Sequence, residues 1–262
     1  MAEWEIESPE TIQFEESPSD LLVHLVGGDL NVKASDGPAT LEIRQIVGPM
    51  VRVRLEGGKL EVRQEHPSFW RTDTTRVSAS VTLSVPPGCR VQIDTVSASV
   101  LAEGLNAELA LKTVSGEATL ESLRGPVTAA TVSGAVASRG QSGKFRGETV
   151  SGGVTLDAFG GSSVRLQTVS GEVVADLKQA DPDSSAEVET VSGAVYLRLA
   201  ASPSQKVRVE SISGHLTSAF PALRAESGPG SRTLKGLLGE GRGKVKVSTV
   251  SGSVSLLAEA SD

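Results

Sequence analysis

The segment LALKTVSGEATL, residues 109–120, contains the pattern that decides the fold of this chain. Apolar residues alternate with other residues before the tetrapeptide Thr-Val-Ser-Gly, at Leu109 and Leu111, and again after it, at Ala118 and Leu120. An alternation with a period of two is typical of a half-buried β-strand. The apolar positions before and after the tetrapeptide have opposite parity, so we expect the tetrapeptide to form a corner between two strands.

The tetrapeptide, in this form or a close variant, recurs along the last two thirds of the chain. Successive copies begin 18 to 22 residues apart, except for a final gap of 38 residues. A short and nearly constant period predicts a solenoid, here an all-β single-stranded β-helix with about 18–22 residues per coil. The long gap is expected to hold one further coil or a long loop. The eight copies begin at Thr95, Thr113, Thr131, Thr149, Thr168, Thr190, Ser211 and Thr249.

The fourth position of the tetrapeptide is glycine in seven copies, and we predict that these glycines are structural corner residues. Such a corner requires either a positive φ or the close approach of a neighbouring coil, and glycine permits both. The seven residues are Gly116, Gly134, Gly152, Gly171, Gly193, Gly214 and Gly252.

The composition is typical of a folded β-protein with an acidic surface. The 262 residues are 38% hydrophobic and 22% charged, carry a net charge of -7 at pH 7, and include 28 glycines and 12 prolines. An acidic chain is a poor match for nucleic acid or an anionic membrane. Because no stretch approaches the roughly 20 apolar residues of a membrane helix, we expect neither a nucleic-acid partner nor a membrane span.

Cys89 is the single cysteine, so the fold is expected to be held together without an internal disulfide. The first residues, 1–7, have neither the basic region nor the apolar run of a secretory signal. Both observations predict a cytoplasmic protein. Since no histidine is recognisable as its partner, Cys89 is interpreted as a turn or core residue rather than a nucleophile.

We predict one continuous domain made of two regions. Residues 1–80 show strand patterns outside the strict period and are expected to pack on the solenoid as a β-rich cap. Residues 81–262 are expected to form the repeat region, with a loop rich in glycine, proline and basic residues at about 220–244. Within the first region, Asp29–Val32 is interpreted as an early, degenerate coil.

Residues that could support catalysis or metal binding are few and scattered. His24, His66 and His215 do not have the spacing of metal ligands. Carboxylates do not recur at the position after the corner glycine, which argues against the calcium sites of other β-rolls. Only two tryptophans, one tyrosine and five phenylalanines could offer platforms for carbohydrate. We therefore expect no catalytic residue, no cofactor and no metal.

Two groups of residues are candidates for binding a partner. Phe69 and Trp70 place two aromatic side chains in a predicted loop, where they either dock a partner or plug the end of the core. Arg232, Lys235 and Arg242 belong to a local concentration of positive charge, which is either a docking surface or a solvated loop.

Three motifs, taken in order, resemble a known family. They are VTLSVPPG at 81–88, VQIDTVS at 91–97 and the closing GKVKVSTVSGSV at 243–254. Together with the serial corners between them, they are similar to the bacterial putative-adhesin family of domains of unknown function over nearly the whole chain. The resemblance implies a β-helical repeat fold without established catalytic residues.

We expect a non-enzymatic cytoplasmic β-solenoid that presents a rigid, repetitive surface to an unknown protein partner. Self-assembly is the alternative, because an exposed end coil can add coils from another molecule and form dimers or filaments. A hydrolase or lyase acting on a polysaccharide is a weaker alternative, since it needs an acid and a base that the sequence does not reveal. A surface lattice of threonines that orders water, as in ice-binding solenoids, is a further alternative.

Overall fold

The computed structural model describes residues 2–64, 77–177, 180–200, 202–228 and 230–259. Regular secondary structure in these residues consists of 26 β-strands and includes no helix, which confirms the predicted all-β fold. The chain divides into two compact units, Met1–Thr128 and Ala129–Asp262. The prediction of one continuous domain with regions 1–80 and 81–262 stays a prediction.

In the described part of the chain, twelve strands belong entirely to the first unit and a thirteenth crosses the division. They are β1 (Ala2–Ile6), β2 (Glu10–Gln13), β3 (Asp20–Leu25), β4 (Gly28–Ala34), β5 (Thr40–Val47), β6 (Val51–Glu56), β7 (Lys59–Gln64), β8 (Ser78–Val85), β9 (Arg90–Thr95), β10 (Ser99–Glu103), β11 (Leu109–Thr113), β12 (Ala118–Glu121) and β13 (Val127–Thr131).

Parallel coils form the centre of the first unit, and antiparallel strands cover them on one side. One sheet has the order β1-β6-β7-β3-β9-β11 and the other the order β2-β5-β8-β4-β10-β12. The coil of β3 and β4 stacks in parallel on β9 and β10, with Leu30 opposite Val100, and on β7 and β8 at its other side. The early coil predicted at Asp29–Val32 is therefore present. Beyond it, β6 and β1, and likewise β5 and β2, run antiparallel as the N-terminal cap.

The strands of the second unit follow the same plan. They are β14 (Val136–Arg139), β15 (Lys144–Thr149), β16 (Val154–Asp157), β17 (Ser163–Thr168), β18 (Val173–Asp176), β19 (Ser185–Thr190), β20 (Val195–Leu199), β21 (Gln205–Ser211), β22 (Leu216–Ser218), β23 (Arg224–Gly228), β24 (Ser231–Leu237), β25 (Gly243–Thr249) and β26 (Val254–Ala258).

Spatial order and chain order differ in the second unit. One sheet has the order β15-β17-β19-β25-β21-β24-β23 and the other the order β14-β16-β18-β20-β26-β22. Neighbours from β15 through β21 are parallel, and β24 and β23 are antiparallel. The final coil along the chain, β25 and β26, therefore lies between the coil of β19 and β20 and the coil of β21 and β22.

The segment predicted as a loop at about 220–244 contains an antiparallel hairpin instead. β24 pairs with β21, with Leu234 opposite Val209, and β23 pairs with β24. Among the described residues of the 38-residue gap, which are all but residue 229, there is neither a further parallel coil nor a long loop. The hairpin satisfies the backbone groups that β21 would otherwise expose at the edge of the sheet, which explains why a polar, glycine-rich segment is ordered into strands.

Alternate residues of the coil strands are buried, and the alternation changes phase at the corner. Leu109 and Leu111 before the corner, and Ala118 and Leu120 after it, are each 1% exposed or less. The change of phase occurs because the first and fourth residues of the corner face the core while the two between them face solvent. The predicted β-solenoid with two strands per coil is confirmed.

A hydrogen bond between the first and fourth residues closes each of the seven corners that end in glycine, whereas the hydroxyl of Thr95, in the corner that ends in Ala98, is buried without a hydrogen-bond partner. In residues 168–171, the N–H of Gly171 donates to Oγ1 of Thr168 over 2.9 Å. The corner threonines are only 5–7% exposed. Their hydroxyls therefore do not form a surface lattice that orders water, which was one of the alternatives considered from the sequence. The same bond, at 2.7–3.1 Å, is donated by Gly116, Gly134, Gly152, Gly193, Gly214 and Gly252.

Close contact between coils, and not a positive φ, accounts for glycine at the corner. A Cβ on Gly171 would lie 1.8 Å from the carbonyl oxygen of Gly152 in the neighbouring coil, well inside the 3.0 Å that real Cβ contacts respect. Of the two explanations that the sequence offers, the close approach applies. Neither Gly171 nor any of the five corner glycines named in the next sentence has a positive φ. The corresponding distance is 1.8–2.1 Å at Gly116, Gly152, Gly193, Gly214 and Gly252.

Candidate interaction surface

The second residue of each corner points outward and is apolar. These residues lie between the inward threonine and the inward glycine, on the convex side of the corner, and they are 44–57% exposed. Their row in the second unit is named the valine ridge. It consists of Val132, Val150, Val169, Val191, Val250 and Ile212.

Hydrogen bonds from the corner serines fix the order of the ridge. The N–H and the Oγ of Ser170 both donate to the carbonyl oxygen of Val150, at 2.9 Å and 3.3 Å. The same pair of bonds joins each corner to the next, in the order 132, 150, 169, 191, 250 and 212. Because neighbouring strands lie roughly 4.8 Å apart, the six side chains span roughly 24 Å.

The fold itself does not require an apolar residue at this position. A β-branched residue suits the extended backbone, but threonine has nearly the same shape and is better solvated. Scattered apolar residues are ordinary on protein surfaces. Six of them in register form a contiguous apolar row, and such rows are typical of interaction sites.

A shallow groove of about 450 Å³ runs beside the ridge. The Nε2 of Gln167 donates to Oε2 of Glu189 over 2.7 Å, and Nε of Arg146 donates to Oε1 of Glu148 over 2.5 Å. Polar side chains held in place beside an apolar row resemble the rim and the core of a protein interface. The groove is lined on the ridge side by Val150, Val169 and Val191 and on the strand side by Glu148, Gln167 and Glu189.

The first unit carries corners of the same kind. Val96 and Val114 are each 46% exposed, and the N–H and Oγ of Ser115 both donate to the carbonyl oxygen of Val96, at 2.9 Å and 3.3 Å. Ser97 makes the same pair of bonds to the carbonyl oxygen of Val26, in the early coil. The outward apolar position is therefore a property of the repeat.

Of the five residues predicted to bind a partner, the structure describes three. Phe69 and Trp70 lie outside the described residues. Arg232 and Lys235 lie on β24, and Arg242 lies in the connection between β24 and β25. Their role in binding stays a prediction.

Each of the three cations has a partner within the chain. Arg232 donates from Nη1 to the backbone carbonyl oxygen of a neighbouring corner, over 3.1 Å. The Nζ of Lys235 lies 2.7 Å from Oε2 of Glu226, and Nε of Arg242 lies 3.3 Å from Oε2 of Glu240. Lys235 and Arg242 thus have acidic partners, whereas Arg232 is held by a carbonyl oxygen, and the hairpin keeps an excess of positive charge because Glu226 is its one acidic residue.

The valine ridge was not predicted from the sequence. Its signal is present, because the second corner position is valine or isoleucine in every copy of the tetrapeptide. Alternation alone does not reveal that this position is exposed, since a corner of two outward residues breaks the period of two. Once the threonine and glycine are known to face inward, the exposure of the residues between them follows.

Groups that could support metal or thiol chemistry are absent or hindered in the described residues. No set of three or more histidine, cysteine or acidic side chains within those ranges is placed to hold a metal. His24 lies with Nδ1 3.7 Å from Oδ2 of Asp94, and His66 lies outside the described ranges. Cys89 is 1% exposed, and its burial raises the pKa of the thiol to about 12.

A second depression, of about 410 Å³, lies in the first unit around Asp20, Lys59, Arg90 and Glu108. The hydroxyl of Ser19 donates to Asp20 over 2.7 Å, and Nη2 of Arg90 lies 2.7 Å from its other oxygen. These hydrogen bonds, from Ser19 first and Arg90 second, lower the pKa of Asp20. A general acid needs the opposite shift, so Asp20 does not fit that role.

The fold and the repeated corner define a β-solenoid of stacked parallel coils. The family model Toastrack DUF4097 matches residues 48–257. The chain therefore belongs to the Toastrack DUF4097 family, which confirms the resemblance to the putative-adhesin family of unknown function. Among curated proteins, none matches the chain. No helix in the described ranges is long and apolar enough to cross a membrane.

Several solved structures share this fold at low sequence identity. A putative adhesin from Parabacteroides merdae has a TM-score of 0.56 at 14% identity, over 97% of this chain and 96% of that chain. A putative adhesin from Bacteroides fragilis has a TM-score of 0.53 at 12% identity, over 96% and 98%. A putative lipid binding protein from Parabacteroides distasonis has a TM-score of 0.54 at 16% identity, over 95% and 97%. At these identities the likeness concerns the fold.

Proposed function

We propose that this protein is a non-enzymatic cytoplasmic scaffold that binds another protein through the valine ridge. The observation that carries the proposal is the row of six exposed apolar side chains, held in register by paired hydrogen bonds from the corner serines. The partner is expected to present an apolar groove or strip that follows the ridge.

The ridge offers useful binding energy at a low entropic cost. A half-exposed valine that becomes fully buried contributes roughly 1 kcal/mol gross. Several rungs together can offset the cost of association, which is several kcal/mol. Valine has few rotamers, and hydrogen bonds hold the corner backbone to the coils on either side. Little conformational freedom is therefore lost on binding.

Other features also support a binding role over catalysis. Asp20 has a lowered pKa rather than the raised pKa of a general acid, and the thiol of Cys89 is buried and protonated at neutral pH. The solved structures with this fold bear names that denote adhesion or lipid binding. A single buried thiol is compatible with the reducing cytoplasm, and cell fractionation tests that location.

Self-assembly by addition of coils at the ends receives less support. β23, one of the edge strands of the second unit, carries Arg224 and Glu226, and β1, one of the edge strands of the first unit, carries Glu3 and Glu5. Short antiparallel edge strands with charged side chains discourage the pairing of edges between molecules.

Site-specific photocrosslinking tests the proposal. A photoreactive residue at Val169, on the ridge, is expected to capture one protein that mass spectrometry identifies, whereas the same residue at the exposed Thr155 of β16 is not. Calorimetry with that purified protein then compares the native chain with the triple variant Val150→Thr, Val169→Thr and Val191→Thr.

The triple variant is expected to bind about tenfold more weakly or worse, while its thermal stability stays close to that of the native chain. Equal capture at positions 169 and 155, or unchanged affinity in the triple variant, would contradict the proposal.

A further inference from the structure

The final coil of the chain occupies an internal position in the second unit. β25 pairs in parallel with β19 on one side and with β21 on the other, and Val247 lies opposite both Val188 and Val209. β26 lies in the same way between β20 and β22. Residues 243–258 thus fill a slot between two coils that precede them in the sequence.

The coil of β21 and β22 has the register needed to stack on the coil of β19 and β20 in place of the final coil. Thr249 lies opposite Thr190 on one side and Ser211 on the other. Without the final coil, Thr190 would face Ser211 with every side chain on its present side of the sheet. The corner glycines Gly214 and Gly252 are equivalent in the same sense, since each closes its corner with the same hydrogen bond. Direct pairing of β21 with β19 would therefore require no change of register.

The inserted coil is the better neighbour for the coil of β19 and β20. Leu256 of β26 lies opposite Leu197 and is 1% exposed, whereas the three-residue strand β22 offers Ser218 at the equivalent position. Lys246 also places its Nζ 2.9 Å from Oε1 of Glu187. The burial of Leu256 favours a filled slot over a closed one, whereas the ion pair does not distinguish the two, since β21 carries Arg208 at the position equivalent to Lys246.

The connection that leads into the inserted coil, residues 238–242, is short, and all of it except the buried Leu238 lies at the surface. Gly239 and Gly241 have φ values of 56° and 68°, in the left-handed region that favours glycine. Glu240 between them and Arg242 after them are exposed. A surface connection with two such glycines is suited to act as a hinge.

We propose that residues 243–258 form an exchangeable coil, and that the partner which fits the slot is the same coil of a second copy of this chain. Two chains then exchange their final coils and form a reciprocal dimer. Because the sequences are identical, the second copy supplies the same ladder bonds, the same corner contacts and the same Lys246–Glu187 pair. Only the path of the hinge differs, so the dimer is favoured at high concentration.

Disulfide trapping between two single variants tests the exchange. Glu189 lies opposite Ser248 across β19 and β25, on the partly exposed face of the sheet. Directly paired residues of neighbouring strands lie within the Cα separation that a disulfide accepts. Chains with Glu189→Cys and chains with Ser248→Cys are mixed at high concentration, warmed below the unfolding transition, cooled and oxidised. A disulfide-linked heterodimer is expected, and its yield is expected to rise with concentration.

A matched control uses two strands that are not exchanged. Gln167 lies opposite Glu189 across β17 and β19 on the same face, and a mixture of Gln167→Cys and Glu189→Cys chains is expected to give no heterodimer above background. The double variant Glu189→Cys with Ser248→Cys in one chain is expected to form the internal disulfide, which shows that the geometry permits the bond. An internal disulfide in that variant, with no more heterodimer in the first mixture than in the control, would overturn the proposal.

Discussion

The Nζ of Lys246 lies 2.9 Å from Oε1 of Glu187, and this ion pair joins the inserted strand β25 to β19, 59 residues away in the chain. Arg165 of β17 contacts the other oxygen of the same carboxylate. The carboxylate of Glu187, on β19, therefore links its own strand to both neighbouring strands, β17 and β25. The hydrogen bond from Lys246 first, and the charge of Arg165 after it, lower the pKa of Glu187, and Glu187 in turn raises the pKa of Lys246.

Replacing Lys246 by methionine is expected to lower the melting temperature at pH 7, because the inserted coil loses its ion pair while the side-chain stem is kept. The lowered pKa of Glu187 means that its contribution is present above its ordinary value of 4.5 and is lost as the pH falls through the folded value. The raised pKa of Lys246 means that its contribution is present below 10.5 and is lost at higher pH.

Thermal melts followed by circular dichroism at pH 3, 7 and 8 check this prediction. The difference between the native chain and Lys246→Met should shrink at pH 3 and be the same at pH 7 and 8. Arg44→Met is the control, since Arg44 pairs only with Glu42 on its own strand in the contacts described. A difference that persists undiminished at pH 3 would show that the variant acts through packing instead.

Gly171→Ala is expected to destabilise the protein by about 3 kcal/mol or more, because its Cβ would overlap the carbonyl oxygen of Gly152 in the next coil. Gly153→Ala is the matched control. A Cβ at Gly153 meets its nearest atom, the carbonyl oxygen of Glu172, at an ordinary 3.5 Å. Urea unfolding of both variants measures the difference, and equal midpoints would refute the close-contact explanation of the corner.

Thr168→Val is expected to cost about 1–3 kcal/mol, because the buried N–H of Gly171 loses its acceptor while the shape of the side chain is kept. Thr168→Ser should cost less, since the hydroxyl remains and Ser211 already serves the same role in another corner. Chemical unfolding ranks the two variants. The reverse order would mean that the methyl group, and not the hydrogen bond, stabilises the corner.

Cys89 is expected to resist thiol reagents at pH 8 in the folded protein. Its side chain is 1% exposed and its pKa is raised to about 12 by burial, so almost no thiolate is present at that pH. Labelling with a chromogenic disulfide reagent should proceed only after denaturant is added. Rapid labelling of the folded protein would contradict the burial and would reopen a chemical role for this residue.

The sequence predicts the solenoid because corner and strands are both local. Leu109 and Leu111 alternate, Thr113 and Gly116 mark the change of phase, and a period of 18 residues repeats the pattern. The order of the coils is not predictable in this way. Ser211 and Thr249 begin corners of equal quality, so spacing alone does not tell which of them stacks on the coil of Thr190.

The hairpin of β23 and β24 and the exposure of the ridge were missed for different reasons. The segment around Arg224 and Lys235 has the composition of a loop, and it becomes strand only because the edge of β21 offers backbone partners. Val169 is apolar, and hydrophobicity favours burial. Its exposure is decided by the corner, where Thr168 and Gly171 take the two inward positions.

The corner serines bond only to the coil next to them, and this has a consequence for how such chains can evolve. Ser151 donates hydrogen bonds to the carbonyl oxygen of Val132, and Ser170 donates to that of Val150. Among the hydrogen bonds described, neither serine bonds to a coil beyond its neighbour. A gene that duplicated or lost the 18 residues between one corner and the next would therefore lengthen or shorten the ridge by one step of roughly 4.8 Å. The covering hairpin would be unaffected, so descendants could match partners of different length without redesigning a single coil.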